Sequence, residues 1–226
     1  ATALLPIVLF PLLGVMSTAS TTVAYANHLI YLFLGGFLIA VAMQKWNLHR
    51  RIAMHILQAV GTSPDRIVLG FMLATAVLSM WISNTATTMM MLPIGIAVIS
   101  QVELLQTETT AGNSSGQLAG KSFGLCLMLG IAYAASIGGV ATLIGTPPNA
   151  ILAGMVEKLY GLSISFVDWM MFGLPLSLFM LAIAWLYLTR IACRIHGPAL
   201  PGVEKLLQQE LEKLGPISKQ ERRVLA

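Results

Sequence analysis

Residues 78–93 read LSMWISNTATTMMMLP, a polar cluster within a long apolar run. No Asp, Glu, Lys, Arg or His occurs between Ile67 and Val102. A lipid bilayer offers no hydrogen-bond partners, so each unsatisfied polar group at membrane depth is costly. The cluster is therefore expected to face protein or to line a cavity. Its hydroxyl and amide side chains are Ser79, Ser83, Asn84, Thr85, Thr87 and Thr88.

The composition is typical of a membrane protein. Of the 226 residues, 57% are hydrophobic and 10% charged, and the mean hydropathy is +0.81. Soluble domains average about 45–50% apolar and about 25% charged residues. Several uncharged stretches reach the roughly 20 residues of helix that cross a hydrocarbon core. We predict an all-α polytopic protein that crosses the cell (inner) membrane several times.

The net charge of +4 does not indicate binding to nucleic acid. The basic residues cluster within 45–66 and 190–223, beside apolar segments. The positive-inside rule predicts such clusters on the cytoplasmic side. We therefore expect the lipid bilayer, and no nucleic acid, as a partner.

Apart from two interrupted segments, the chain divides into spans, surface helices and a loop. These are predicted as transmembrane helices over 1–44, an interfacial amphipathic helix and turn over 45–66, a cytoplasmic loop over 103–121, a transmembrane helix over 170–190, and a cytoplasmic surface helix and linker over 198–226. In the amphipathic helix, Leu48, Ile52 and Ile56 share one face, and Arg50 and Arg51 are expected to face lipid headgroups.

Residues 67–102 are too long for one spanning helix and too short for two spans with a turn. Two half-length helices that meet at Ser83-Asn84-Thr85 fit better, as a re-entrant hairpin that enters and leaves on one side. This path returns Arg190 and Arg194 to the cytoplasmic side, as the positive-inside rule requires. Two complete spans would also return Arg190 and Arg194 to the cytoplasmic side, so this arrangement stays open as an alternative.

Residues 122–160 form the second interrupted segment, which reads GGVATLIGTPPN over 138–149. Gly138-Gly139, and then residues 145–148, are predicted to break a transmembrane helix. Proline is favoured in the first turn of a helix, so a second half-helix is expected to start at Pro147. The two interruptions could meet within the membrane.

Interrupted helices present free carbonyls at one end and free N–H groups at the other. Ser79, Ser83 and Asn84 could offer oxygens to Na⁺, completed by carbonyls around Gly145. Thr85 and Thr146 precede helix starts, where an anion is favoured. The alternative, that each hydroxyl bonds only its own backbone and that the prolines only kink a helix, stays open for any single residue.

Ionisable side chains are absent from both interrupted segments, over 67–102 and 122–156. Proton-coupled carriers place such groups in their membrane path, so coupling to Na⁺ is favoured over coupling to H⁺. No Ser/His set, Asp pair or HExxH motif lies at membrane depth. We therefore expect neither an enzyme activity nor an organic cofactor.

Ser83-Asn84-Thr85 at a hairpin tip, followed by GTPPNA over 145–150, closely resembles the divalent anion:sodium symporter family, the sodium/dicarboxylate cotransporters. The resemblance implies one half, the N-terminal one, of an inverted-repeat transporter. Each repeat of this family has a re-entrant helical hairpin and a broken transmembrane helix. Such transporters are homodimers and work by an elevator-type alternating-access mechanism.

The resemblance also implies roles for single residues. Ser79, Ser83, Asn84 and Gly145 look like a sodium site. Asn84, Thr85, Thr146 and Pro147 look like contacts to a substrate carboxylate. Residues 1–44 would be scaffold, and the segments 67–102 and 122–160 would belong to the transport domain.

The implied function is secondary active symport, in which Na⁺ influx drives uptake of di- or tricarboxylates. C4-dicarboxylates such as succinate are the expected substrates. A related carrier for citrate, sulfate or arsenite is the alternative, followed by an anion channel.

Overall fold

A computed structural model describes residues 2–23, 25–26, 28–109, 114–195, 201–215 and 221. All regular structure in these ranges is helical, which confirms the predicted all-α class. The helices are α1 (Leu5–Leu12), α2 (Thr18–Val23), α3 (His28–Lys45), α4 (Leu48–Val60), α5 (Pro64–Ser79), α6 (Asn84–Thr109), α7 (Ser114–Val140), α8 (Pro147–Tyr160), α9 (Phe166–Leu186) and α10 (Pro201–Lys213), with a 3₁₀ turn over Thr2–Leu4 and a π-helical extension of α9 over Tyr187–Ala192.

Four of the described helical segments are long and apolar enough to cross a membrane: His28–Lys45, Asn84–Leu104, Ser122–Val140 and Phe166–Ala192. The first apolar segment of the chain is shorter than a span, because it is helical only over Thr2–Leu12. Pro11 lies inside α1, and Gly14 follows it with a φ of 70°. A proline and a left-handed glycine so close together end the helix early.

Helices α5, α6 and α7 form the centre of the hydrophobic core. Along α7, Gly130 contacts Met72 and Gly138 contacts Ala76, so α5 runs parallel to α7. On the other side, α6 runs antiparallel to α7, since Asn84 lies against Gly139 and Gly95 lies against Ile131. Therefore α5 and α6 are an antiparallel pair, joined by residues 80–83.

The fourth membrane-capable helix, α9, lies alongside this group. Near its start the Trp169 indole donates a hydrogen bond to the Val140 carbonyl at 3.0 Å. Near its end the Trp185 indole donates to the Asp65 carbonyl at 3.0 Å. Because Asp65 lies in the first turn of α5, the start of α5 and the end of α9 are on the same side of the molecule.

Two sequence-based predictions about helix extent are wrong. Residues 103–109 continue α6 and residues 114–121 begin α7, where we expected a loop over 103–121. The second helix of the hairpin is thus 26 residues long rather than half-length. Glu, Leu and Gln are strong helix formers, and extending an existing helix is far easier than nucleating one.

Gly138-Gly139 does not break α7, which continues to Val140. A Cβ atom on Gly138 would overlap the Ala76 backbone of α5. This glycine therefore serves close packing between helices. The interruption is confined to residues 141–146, and α8 then begins at Pro147, where we predicted a helix start.

The amphipathic helix is present as α4, but its basic face differs from the prediction. The Arg51 side chain is buried and does not face lipid headgroups. Its guanidinium donates to Glu221 Oε1 at 3.1 Å and to the Leu214 and Gly215 carbonyls. Residues 198–226 were predicted to hold a cytoplasmic surface helix, and α10 lies in this segment with Val203 and Leu207 buried in the hydrophobic core. Residues 198–200, 216–220 and 222–226 of the segment lie outside the described part.

Candidate functional site

The candidate site lies where α5 ends, α6 begins and α7 ends. Ser79, the last residue of α5, is completely buried. Its Oγ lies 2.6 Å from Asn84 Oδ1 and 2.7 Å from the Ala135 carbonyl oxygen. Because a hydroxyl carries one proton, it donates to only one of these acceptors at a time. Three helices therefore meet at this single hydroxyl group.

Two glycines complete the packing around the Asn84 amide. A Cβ atom on Gly139 would overlap Asn84 Oδ1. A Cβ atom on Gly145 would lie 2.5 Å from the Gly139 carbonyl oxygen. Any larger residue at either position would push its neighbours apart. Gly139 thus links Asn84, at the first break, to Gly145, at the second.

A hydrogen bond also joins the two breaks directly. The fully buried Thr142 hydroxyl donates to the Met80 carbonyl at 2.6 Å. The Thr142 Oγ1 in turn accepts a hydrogen bond from the Gly145 N–H at 3.0 Å. The expectation that the two interruptions meet is confirmed by this contact.

Side chains from later helices satisfy the carbonyls at the end of α7. Asn149 Nδ2 donates to the carbonyls of Gly139 at 2.9 Å and Thr142 at 2.7 Å. The Ser177 hydroxyl donates to the Ile137 carbonyl at 2.9 Å. Carbonyls at the end of a helix lack partners within that helix and are costly to leave bare in an apolar environment. The Thr142 carbonyl lies beyond the end of α7 and also accepts from the Gly145 N–H at 3.3 Å. The break is therefore a fixed structure.

The structure brings together some of the predicted site residues and leaves others apart. Ser79, Asn84 and Gly145 belong to one packed cluster. The side chain of Ser83 is exposed and accepts a 3.4 Å hydrogen bond from the Ala86 N–H at the start of α6. Its predicted partnership with Ser79 and Asn84 remains a prediction.

The predicted substrate contacts lie at two helix starts. Thr85 is exposed in the first turn of α6, and Thr146 is the half-buried N-cap residue of α8. Pro147 opens α8 and is exposed. Among the described residues, no hydrogen bond connects these three side chains to Asn84.

Sequence reasoning did not single out Thr142, Gly139 or Asn149 as parts of the site. Each now has a defined contact: Thr142 with Met80, Gly139 with Asn84, and Asn149 with two carbonyls. Their common signal is a polar or very small residue within the apolar run 138–149. The partners of Thr142 and Gly139 come from distant parts of the chain, and those of Asn149 depend on how the chain folds back between residues 139 and 149, so the sequence alone does not assign them.

The cluster is chemically suited to a monovalent cation. It offers hydroxyl, amide and backbone oxygens, which are hard and neutral donors. In the described part of the chain, no group of three or more His, Cys, Asp or Glu side chains could hold a metal ion. Close by, the N-termini of α6 and α8 carry the partial positive charge that favours an anion.

Comparison with known proteins gives one family. The family model described as "Citrate transporter" matches residues 1–225. The chain is 45% identical over 222 residues to the sodium-dependent dicarboxylate transporter SdcS of Staphylococcus aureus strain USA300. SdcS of strains NCTC 8325 / PS 47 and COL shows the same identity to this chain, 45% over 222 residues. In each case it covers 98% of this chain and 42% of the relative, so the chain spans less than half the length of these relatives.

Proposed function

Because the chain belongs to the citrate transporter family, we propose that it forms one half of a sodium-coupled dicarboxylate transporter. The observation that carries this proposal is the packed cluster of Ser79, Asn84, Gly139 and Gly145 at the meeting point of two helix interruptions. The similarity to a sodium-dependent dicarboxylate transporter supports both the ion and the substrate class.

The proposed ion site uses oxygens of Ser79, Ser83, Asn84 and Gly145. Hydroxyl, amide and carbonyl oxygens are hard donors of the kind that coordinate Na⁺ at interrupted membrane helices. Ser79 has two competing acceptors, and a cation at its oxygen would direct its proton to the Ala135 carbonyl. Ion binding would thereby tighten the contact between α5 and α7.

The proposed substrate contacts are Asn84, Thr85, Thr146 and Pro147. The N–H groups in the first turns of α6 and α8 point outward from the helix starts and would receive one carboxylate of the substrate. Asn84 would then serve both ion and substrate. This shared residue would couple their binding, because each ligand fixes the amide that the other needs.

The α5–α6 pair is proposed to be a re-entrant hairpin. Helix α5 has 16 residues and is about 24 Å long at a rise of ~1.5 Å per residue. That length falls short of the roughly 30 Å of a hydrocarbon core. Residues 67–102 and 122–160 would form the transport domain, with α7 and α8 as one broken transmembrane helix.

Residues 1–44 are proposed as scaffold in an elevator-type homodimer at the inner membrane. Supporting this, α3 makes few contacts with the other described helices and exposes large apolar side chains over most of its length. These include Tyr31, Leu34, Leu38 and Val41. Lipid, the rest of the transporter or a second protomer would cover them.

Uptake by the full-length transporter in proteoliposomes tests the proposal. We expect accumulation of labelled succinate driven by a Na⁺ gradient and lost when choline replaces Na⁺. Unchanged uptake in choline would contradict sodium coupling. Preloaded unlabelled succinate should stimulate exchange, a response that a channel does not give.

Competition identifies the substrate. Unlabelled succinate is expected to inhibit more strongly than citrate or sulfate at equal concentration. The family match favours citrate as the second candidate. Stronger inhibition by citrate would shift the assignment to a tricarboxylate carrier.

Asn84→Ala in the full-length transporter should abolish uptake while insertion and oligomeric state stay unchanged. Thr22→Ala is the matched control, since its exposed hydroxyl bonds only its own helix. Full uptake by Asn84→Ala would mean that the hairpin tip is only structural.

A further inference from the structure

Thr87 carries a buried hydroxyl group without a hydrogen-bond partner. The residue lies in the first turns of α6 and is completely buried. Within the part of the chain that the structure describes, its Oγ1 is the buried side-chain polar atom left unpaired. Buried polar groups are almost always paired, because an unpaired one loses its bonds to water without replacement.

The missing bond is unusual because a threonine inside a helix can satisfy itself. Its hydroxyl normally reaches the carbonyl of the preceding turn. Helical threonines elsewhere in the chain do so, each donating to the residue four positions earlier: Thr21, Thr22, Thr75, Thr88 and Thr189. The Thr87 hydroxyl does not bond Ser83 in this way, so it is oriented towards something else.

The position of Thr87 on α6 indicates the direction. Asn84, Thr87, Met91 and Gly95 recur at the three- and four-residue spacing of a single helix face. Asn84 and Gly95 lie against α7, so this face is the one packed on α7. Helical side chains tilt towards the N-terminus, which leans Thr87 towards Asn84.

The hydroxyl is therefore one helical turn from the Asn84 amide, on the same side. Ser79 also belongs to this side, through its contact with Asn84 and its 2.7 Å contact with the Ala135 carbonyl. A cation held by Ser79 and Asn84 would lie within reach of a third neutral oxygen from Thr87. No acidic or basic side chain occurs on α6 before Glu103 to compete for it.

We propose that the Thr87 hydroxyl is a further oxygen ligand of the cation bound at Ser79 and Asn84. This inference rests on the proposed sodium coupling and adds a residue to that site. The hydroxyl lacks a protein partner because the ion is its partner. Sodium binding would then anchor the second turn of α6 as well as its first residue.

The test is the Na⁺ dependence of thermal stability and uptake in the full-length transporter. Thr87→Val keeps the shape of the side chain and removes the hydroxyl. We expect the Na⁺ concentration for half-maximal stabilisation to rise about tenfold or more, as for the loss of one bond to a charged group. Thr87→Ser keeps the oxygen and should stay within about twofold of the wild type.

Thr75→Val is the matched control. Thr75 is also completely buried in a helix, but its hydroxyl donates to the Phe71 carbonyl at 2.6 Å. Its substitution should leave the Na⁺ dependence unchanged. If Thr87→Val does not fold, Thr87→Cys repeats the test, because a soft thiol is a poor ligand for a hard cation.

If the Thr87 hydroxyl binds no cation, Thr87→Val is expected to leave the Na⁺ dependence of stability unchanged. Replacing it by Val would then raise the melting temperature without changing the Na⁺ dependence, and this outcome would overturn the proposal. A loss of stability with wild-type Na⁺ dependence would indicate a bridging water and would overturn it too. If the wild type itself does not respond to Na⁺, the proposed function fails, whatever the Thr87 variants do.

Discussion

The Asn84 amide contacts the Ser79 hydroxyl on one side and the Gly139 backbone on the other. Its orientation is therefore set by α5 and α7 as well as by its own helix. A ligand that binds the free side of this amide meets a group that is already positioned. Such preorganisation lowers the cost of binding, because little freedom is lost when the ligand arrives.

Gly139→Ala tests that positioning. The added methyl group would overlap the Asn84 amide, so we expect uptake and Na⁺-dependent stabilisation to be lost. Gly35→Ala in α3 is the control, because a Cβ atom added there would meet nothing within 4 Å. It should stabilise the helix by about 0.5–1 kcal/mol. Normal Na⁺ dependence in Gly139→Ala would show that the contact with Asn84 is not needed for binding.

His49 in α4 gives a prediction about pH. Burial lowers the pKa of His49, the hydrogen bond between its Nδ1 and the Met43 carbonyl raises it, and the Arg50 charge lowers it; the net direction is downward. A lowered pKa in the folded state means that the unfolded chain takes up the proton more readily. Stability is therefore fully present above the usual value of about 6.5 and is lost as the pH falls below it.

The melting temperature is accordingly expected to decrease from about pH 7.5 to about pH 5.5, on either side of that usual value. His49→Gln removes the titrating group and should flatten this part of the profile. His55→Gln is the control, since His55 is on the same helix with an exposed side chain. Equal slopes for the wild type and His49→Gln would contradict the assignment.

At the scale of the element, the end of α7 is closed by one local bond, from the Ala141 N–H to the Gly138 carbonyl at 3.0 Å, and by side chains of later helices. The carbonyls of Ile137, Gly139 and Val140 accept hydrogen bonds from Ser177, Asn149 and Trp169. Helices α8 and α9 therefore complete the end of α7, and each element depends on the others to hold the break.

Asn149→Ala should destabilise the protein by about 1–3 kcal/mol, because the buried Gly139 carbonyl loses the Asn149 donor while the Thr142 carbonyl keeps the Gly145 N–H at 3.3 Å. The substitution removes the donor to both Gly139 and Thr142. Ser136→Ala is the control, because its exposed hydroxyl makes only a 3.4 Å contact within its own helix. Thermal unfolding in detergent measures both. An equal effect of the two substitutions would mean that Asn149 does not hold the break.

At the scale of the whole molecule, α10 attaches the end of the described chain to α4. Val203 and Leu207 are buried in the main hydrophobic core. Beside them, the Arg51 guanidinium meets the Glu221 carboxylate, and both side chains are less than a tenth exposed. Arg50 pairs with Glu210 at 2.5 Å on the more exposed side of α4.

The two neighbouring arginines provide a matched comparison. Arg51→Ala removes the buried guanidinium that donates to Glu221 and to the Leu214 and Gly215 carbonyls, and should cost about 3–5 kcal/mol. Arg50→Ala removes a partly exposed pair and should cost about 0–1 kcal/mol. Hydrogen exchange over Pro201–Lys213 should increase strongly in the first variant and little in the second. Similar exchange in both variants would show that the buried pair does not attach α10.

The extent of the helices was only partly predictable from the sequence. Pro147 marked the start of α8 correctly, because proline fixes a backbone angle suited to the first turn. Gly138-Gly139 was misread as a break, because a glycine pair signals either a break or a close contact. The backbone of α5 against Gly138 decides between the two, and it comes from a distant part of the chain.

The sequence by itself determined the helical class, the membrane-capable segments and the two polar interruptions. These follow from local composition, because the apolar runs are long enough to cross a bilayer as helices, and a polar group at membrane depth needs a hydrogen-bond partner. The tertiary structure alone decided that Ser79 contacts Ala135, that Thr142 contacts Met80, and that Arg51 faces Glu221. These contacts join residues far apart in the chain, and only the packing of helices in three dimensions selects such partners.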